Sequence, residues 1–229
     1  MADPNRALFE SVVRLLAPVL DELVFVGGCT TGLFITDPAA SGIRPTRDVD
    51  AIVDVGSYAK YAALSERLRT LGLAEDATPG APLCRWRRDD LIVDVMPVNE
   101  DILGFSNRWY PAAIETAHTF DIAGHAVRVV TPALFIATKL EAFHGRGGND
   151  IRASHDLEDI VAVVDGRPEI VNDVAAADAE VRGYIAAEIR ALLEQRDFTD
   201  ALAGFLLPDQ ASQARRGLLQ DRLRQLSTT

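Results

Sequence analysis

Thr46-Arg47-Asp48-Val49-Asp50-Ala51-Ile52-Val53-Asp54-Val55 is the stretch on which the reading of this chain turns. From Asp48 to Val55 apolar residues dominate, many of them β-branched, which is the signature of a buried strand. Successive side chains of a strand leave opposite faces, so Asp48 and Asp50 share one face, their backbones roughly 6 to 7 Å apart. Two carboxylates so placed suit a hard divalent cation, and a third from a neighbouring strand would complete the holder. Asp94, set between Leu91-Ile92-Val93 and Val95-Met96, is the candidate for that third ligand; Asp54, on the same face by period two, is the reserve. Acids inside such apolar runs are costly unless they are paired or bind metal.

Upstream, Val24 to Val26 reads as a short buried strand and Gly27-Gly28 as its turn into a helix from Thr30 to Ile35. The first N–H groups of a helix lack partners within it and hold phosphate oxygens readily. Thr30, Thr31 and Thr46 offer hydroxyl donors to the same phosphate, although capping is equally open to Thr30. Arg44 and Arg47 flank the acidic pair; one suits a bidentate clamp on a triphosphate, the other a charge-balancing role.

Around this centre the elements follow from period and punctuation. Leu8, Val12, Leu15, Leu16 and Val19 give a first helix to about Asp21, and Asp37 to Pro45 is a breaker-rich loop. Tyr58 to Leu71 is a helix. Leu83–Arg88 and Leu91–Met96 form a hairpin about Asp89-Asp90. Beyond a helix at Pro111 to Ala117, two strands turn at Ala123-Gly124-His125. Thr131-Pro132 opens a helix to about Phe143, Gly145 to Asn149 is a loop, and Ser154 caps a helix with Leu157, Ile160, Val161 and Val164 as its core stripe. After Pro168 the chain reads as wholly helical. The expected fold is α/β (α+β): a mixed sheet flanked by helices over 1–130, then a helical portion over 131–229 forming the other wall of a cleft.

At 229 residues and 48% apolar content the chain can bury a sizeable core. It has no apolar run of membrane-spanning length, and its N-terminus lacks a signal-peptide layout, so a cytoplasmic protein with no membrane partner is expected. Cys29 and Cys84 lack metal-type spacing and read as buried thiols. The net charge of −11 opposes passive adhesion to nucleic acid. A local basic groove stays open, because Arg85, Arg87 and Arg88 surround Trp86, and Arg108 precedes Trp109-Tyr110; for both tryptophans core packing is the better default over base stacking. Lys139, in the apolar setting Phe135-Ile136-Ala137, requires an anionic partner unless it snorkels to the surface. Asp156 and Asp159, i and i+3 on one helix, point the same way and can pair with Arg146 or Arg152.

Taken together, Gly27-Gly28, a helix, the Arg-x-Thr-x-Asp-x-Asp run from Arg44 to Asp50 and the later acidic strand resemble the polymerase-β type nucleotidyltransferase superfamily. Thr138-Lys139-Leu140-Glu141-Ala142-Phe143, Arg146-Gly147 and His155-Asp156-Leu157-Glu158-Asp159 look like the later motifs of its AbiEii-type members, including the MenT-like toxins. The resemblance spans about Gly27 to Asp159. It implies a nucleotidyltransferase-like fold in which Asp48 and Asp50 hold Mg²⁺, with Mn²⁺ as a substitute. Gly27, Gly28 and Thr46 would contact the triphosphate, Thr30 or Thr46 would stand in for the missing serine, and Arg146 matches the family's arginine; Lys139 would contact phosphate or be otherwise essential, and Asp156 or Asp159 would support the acceptor or the base role. By its own chemistry Arg47 would join Lys139 in neutralising the triphosphate. Asp94, the third metal candidate, is also the first choice for the general base. Two departures stand out: Gly28-Cys29 where the superfamily has Gly-Ser, and His155 where it has Lys.

The expected activity is transfer of an NMP unit from an NTP to an acceptor hydroxyl. The resemblance makes the 3′ end of tRNA the leading acceptor, in a toxin countered by a cognate antitoxin protein. A small-molecule adenylyltransferase acting on a substrate such as an aminoglycoside is the enzymatic rival. A non-catalytic nucleotide-binding module is the third reading, and in it Asp48 and Asp50 would be tied up by Arg44 or Arg47.

Overall fold

Seven strands make one mixed sheet: β1 (Leu23–Val26), β2 (Val49–Val53), β3 (Ala74–Glu75), β4 (Arg85–Arg88), β5 (Leu91–Pro97), β6 (His118–Ile122) and β7 (His125–Val129). Their order is β3-β4-β5-β2-β1-β7-β6. β2 lies between β1, antiparallel, and β5, parallel. The computed structural model describes residues 3–146 and 150–229. The Gly147 to Asn149 part of the expected loop, and Gly147 of the Arg146-Gly147 motif, lie outside them.

The helices in chain order are α1 (Arg6–Leu15), α2 (Thr31–Phe34), α3 (Tyr58–Thr70), α4 (Glu100–Leu103), α5 (Tyr110–Glu115), α6 (Pro132–Gly145), α7 (His155–Gly166), α8 (Ile170–Ala175), α9 (Ala179–Glu194), α10 (Arg196–Ala201), α11 (Gln210–Ala214) and α12 (Arg216–Leu226). The chain folds as two compact units: a sheet unit, Pro4–Thr30 with Pro45–Thr131, and a helical unit, Met1–Asp3 with Thr31–Arg44 and Pro132–Thr229.

In the sheet unit the central strands are apolar on both faces. All four residues of β1 are buried, as are Val49, Ala51, Ile52 and Val53 of β2 and Val93 and Val95 of β5. Helices cover them. α1 packs on β2, β5 and β7, and its Phe9 meets Phe25 edge to face at 5.1 Å. From α3, the Tyr61 hydroxyl donates to the Val95 carbonyl at 2.9 Å. Each such aliphatic or aromatic side chain contributes about 1.5–3 kcal/mol when fully buried, so these central strands form the core. Two tight turns set the outer registers. Arg88 pairs with Leu91 across Asp89-Asp90, and Ile122 with His125 across Ala123-Gly124, where φ is positive at both central residues (54° and 81°). That is the turn geometry whose twist matches a hairpin.

α1 is shorter than its apolar period suggests. It ends at Leu15, and a 3₁₀ stretch, Ala17–Glu22, carries the chain on. Pro18 is the cause: it lacks the N–H that a continuing α-helix needs, and its ring clashes with the carbonyl one turn back.

The helical unit is built around α6, buried along nearly its whole length because α7, α8 and α9 all pack against it. Thr31–Arg44, expected with the sheet, belongs here. The N–H groups of Thr36 and Asp37 both donate to the Gly166 carbonyl, at 3.0 and 2.9 Å, and Phe34 meets Phe135 edge to face at 5.1 Å. A buried polar knot completes the attachment. Asp165, 1% exposed, accepts from the Ser41 N–H at 3.0 Å and from Arg215 Nε at 2.8 Å, while Arg215 also reaches Asp37 at 2.7 Å. No helix among the described residues is long and apolar enough to cross a membrane.

Candidate active site

Asp48 stands one residue before β2 and Asp50 is its second residue. Strand pairing sets Asp50 opposite Val26 of β1 on one side and opposite Asp94 of β5 on the other. Gly27 follows Val26 directly, and its φ is +74°. A Cβ built on Gly27 would fall 1.9 Å from Asp50 Oδ2. Only glycine satisfies both demands, a left-handed backbone and the close approach of a carboxylate. The Gly27-Gly28 turn and the acidic strand, separate in sequence, are therefore one piece of architecture. The turn closes on itself: both the Thr30 N–H and the Thr30 hydroxyl donate to the Gly27 carbonyl, at 3.2 and 2.9 Å. Thr30 thus braces the turn, where a phosphate donor was one expectation, and Gly28 opens a 3₁₀ turn, Gly28–Thr30.

Thr46 is engaged as well. Its N–H donates to Asn5 Oδ1 at 2.8 Å and its hydroxyl to Asp48 Oδ1 at 2.9 Å, which orients the Asp48 carboxylate. Asp48 Oδ2 accepts from Arg85 Nη2 at 2.8 Å. Arg85 also grips Asp94 with a two-pronged bond, Nε to Oδ1 at 2.9 Å and Nη2 to Oδ2 at 2.8 Å. These hydrogen bonds to Asp94, ahead of the opposing cost of burial, hold the guanidinium charge more firmly than usual. Arg47 is exposed, and Asp54, the reserve ligand, lies exposed beyond the end of β2.

Asp94 therefore does not stand ready as a third ligand or as a base: both its oxygens already accept from Arg85. Among the described residues no group of three or more His, Cys, Asp or Glu side chains is arranged to hold a metal ion. The hard oxygens of Asp48 and Asp50 suit a divalent cation, whereas Asp94 as a ligand would require its ion pair with Arg85 to break. Arg85 was missed, yet its signal was present. In a two-residue hairpin at Asp89-Asp90, Arg85 falls opposite Asp94, as the observed register has it.

Lys139, Asp156, Asp159 and Arg146 come together in the helical unit, with Arg44. Lys139 Nζ lies 3.0 Å from Asp156 Oδ1 and 2.8 Å from Asp159 Oδ2. Arg44 makes a paired contact to Asp159, both bonds 2.9 Å, and Arg146 reaches Asp156 at 2.5 Å. The two carboxylates are only 3% exposed and Lys139 is buried, so the snorkelling alternative does not hold. Burial is the largest single influence on Arg44 and opposes its charge, but the Asp159 hydrogen bonds together with the Asp159, Glu158 and Asp156 charges outweigh it and raise the pKa. The partner of Asp156 is Arg146, as one alternative had it; the partner of Asp159 is Arg44, from a segment whose place in this unit the sequence did not reveal. His155 is 70% exposed, its ring 3.4 Å from Glu158.

The remaining expectations fall into the core. Cys29 and Cys84 are both buried thiols, and burial, with the Asp94 and Asp50 charges, pushes the Cys84 thiol up to about 12. Trp86 and Trp109 are buried, with the Arg69 and Arg108 guanidiniums 5.7 and 4.6 Å from their ring centres.

No protein-family model and no curated protein matches the chain. Among solved structures it is similar to one described as an antigenic nucleotidyltransferase-like protein from Paracoccidioides brasiliensis, with 18% identity over 88% of this chain and 93% of that one, and a TM-score of 0.49. So loose a likeness carries no argument about activity.

Proposed function

We propose that this chain is a Mg²⁺-dependent nucleotidyltransferase, which moves an NMP unit from an NTP to an acceptor hydroxyl and releases pyrophosphate. The observation that carries the reading is the seating of the Gly27 turn against Asp50, where no side chain fits. It sets a glycine turn of the kind that admits phosphate beside a carboxylate suited to a cation. Asp48 and Asp50 would hold the cation, which when bound draws charge from the α-phosphate and the leaving group. Thr46 keeps Asp48 turned to its task, Gly27 and Gly28 leave room for the triphosphate, and exposed Arg47 offers it a guanidinium. Lys139, Asp156, Asp159, Arg44 and Arg146 already satisfy one another, and we assign that cluster to joining α6, α7 and the Arg44 segment.

The motif resemblance makes the 3′ end of tRNA the first acceptor to test, with a toxin role and a cognate antitoxin following from it. One observation favours a small-molecule acceptor instead: the arginines that suggested a basic groove are engaged by groups of their own protein. Arg85 holds Asp48 and Asp94, Arg87 lies 3.8 Å from Asp76, and Arg88 donates to the Leu71 carbonyl at 2.8 Å. The deciding experiment incubates the protein with Mg²⁺ and each labelled NTP, with total tRNA or an aminoglycoside panel, beside Asp48→Ala. Label on tRNA that disappears in the variant supports the first acceptor, and label on a drug the second. Label on neither from wild-type protein removes both enzymatic readings and leaves the non-catalytic module.

A further inference from the structure

Arg85 stands where a cation's charge would. It lies on β4 opposite Asp94 of β5, and one of its nitrogens, Nη2, is shared between Asp94 Oδ2 and Asp48 Oδ2, each at 2.8 Å. The two ends of this bridge differ. The Asp94 side chain is 9% exposed and held by two parallel bonds, whereas Asp48 is 31% exposed and held by one. A buried, forked ion pair is costly to break, while a single contact open to water exchanges readily. A guanidinium does not lose its proton in proteins, so the positive charge stays whatever the pH.

We propose that Arg85 is a resident competitor for the divalent cation: it occupies Asp48 in the cation-free protein and must release that carboxylate before a cation binds there, while Asp94 remains its anchor. The inference rests on the reading of Asp48 and Asp50 as cation ligands, and deepens it. Asp94 is then the post from which Arg85 swings, which explains why an acid lies within an otherwise apolar strand without serving as a ligand. A cation at Asp48 would also face the Arg85 charge at short range, so the affinity for a bare cation is held low as long as Arg85 is present.

The test uses the full chain and Mn²⁺ as probe, with free Mn²⁺ measured by electron paramagnetic resonance. Arg85→Gln removes the competitor but strands Asp94 as a buried lone charge. The double variant Arg85→Gln/Asp94→Asn removes both charges together and keeps the experiment interpretable should the single variant fold poorly; circular dichroism checks both. Freeing Asp48 from one charge-assisted bond should tighten Mn²⁺ binding by about tenfold. Asp48→Ala should abolish that binding in either background. Unchanged or weaker binding in the double variant, with Asp48→Ala still abolishing it, overturns the competitor role and leaves the proposed function intact. Binding that never depends on Asp48, in any of these proteins, overturns both.

Discussion

Replacing Lys139 with methionine separates a structural role for this lysine from a purely catalytic one. Its Nζ donates to Asp156 at 3.0 Å and forms an ion pair with Asp159 at 2.8 Å, and both carboxylates are 3% exposed. Two charged contacts, each taken at the about 1.5–3 kcal/mol of a charge-assisted hydrogen bond, set an upper range. Removing one member of a buried ion pair costs about 3–5 kcal/mol when the other is left alone. Here neither carboxylate is left alone, because Arg44 stays on Asp159 and Arg146 on Asp156. Methionine also fills most of the volume of the lysine stem. The expected loss is about 2–4 kcal/mol, below the unpaired case but well above a surface pair. Arg146→Ala is the internal control: Arg146 is 71% exposed, so its loss should cost about 1 kcal/mol or less. Urea unfolding followed by circular dichroism measures both. Asp159→Asn added to Lys139→Met should deepen the loss, since it also takes from Arg44 the carboxylate it grips with two bonds. A Lys139→Met protein as stable as wild type, or no worse than Arg146→Ala, would refute this account of the cluster.

Gly27→Ala is expected to abolish Asp48-dependent Mn²⁺ binding and nucleotidyl transfer. The left-handed backbone adds about 1–2 kcal/mol of strain, and the new Cβ displaces the Asp50 carboxylate; a folded variant of unaltered activity contradicts it. Ser154→Ala should cost about 1 kcal/mol, read from urea midpoints, because its side chain accepts from the Leu157 N–H at the start of α7; a change within error denies the cap that role. Burial raises Cys84 from 9.0, and Tyr61 from 10.0, to about 12. The unfolded chain thus loses these protons first, so the contribution of these two groups to stability is constant below about pH 9 and falls as pH rises from there toward about 12. Cys84→Ala should lessen that fall between about pH 9 and 10, and midpoints in the variant that drop as steeply as in wild type would exclude the thiol as a cause.

What the sequence disclosed and what it hid divide along a physical line. Period-two patterning and turn residues are local, so β2, the hairpin about Asp89-Asp90 and the turn at Ala123-Gly124 were all legible, as was the Ser154 cap. The end of α1 was also local, and Pro18 is the residue whose effect was underrated. Ion-pair partners are another matter. Arg44 sits beside the acidic strand in sequence but makes its paired bond with Asp159 of α7, because Thr31–Arg44 is pinned to Gly166 and Asp165. No periodicity carries that information. Arg85 lies between the two cases: strand register, countable from the hairpin turn, names its partner Asp94, whereas its second partner, Asp48, depends on β2 lying next to β5.

The arginines of the sheet unit bear on what kind of acceptor the protein can attract. Read as a list, Arg85, Arg87 and Arg88 look like a nucleic-acid footprint; in place, they neutralise Asp48, Asp94 and Asp76 or hold a carbonyl. Arg67 and Arg69 likewise pair with Glu22 and with Glu66 and Glu75. A cation already paired with a carboxylate contributes little to the field met by an approaching polyanion, because the two charges cancel beyond about a Debye length, about 8–10 Å. Over longer distances the net charge of −11 is what a ligand meets. Phosphate-rich acceptors would have to compete with carboxylates for most of those guanidiniums, whereas a polycationic small molecule would be drawn in without that cost. Should tRNA prove to be the acceptor, its grip must come from specific contacts strong enough to overcome this field, and its binding should lack the steep loss with added salt that marks a basic groove.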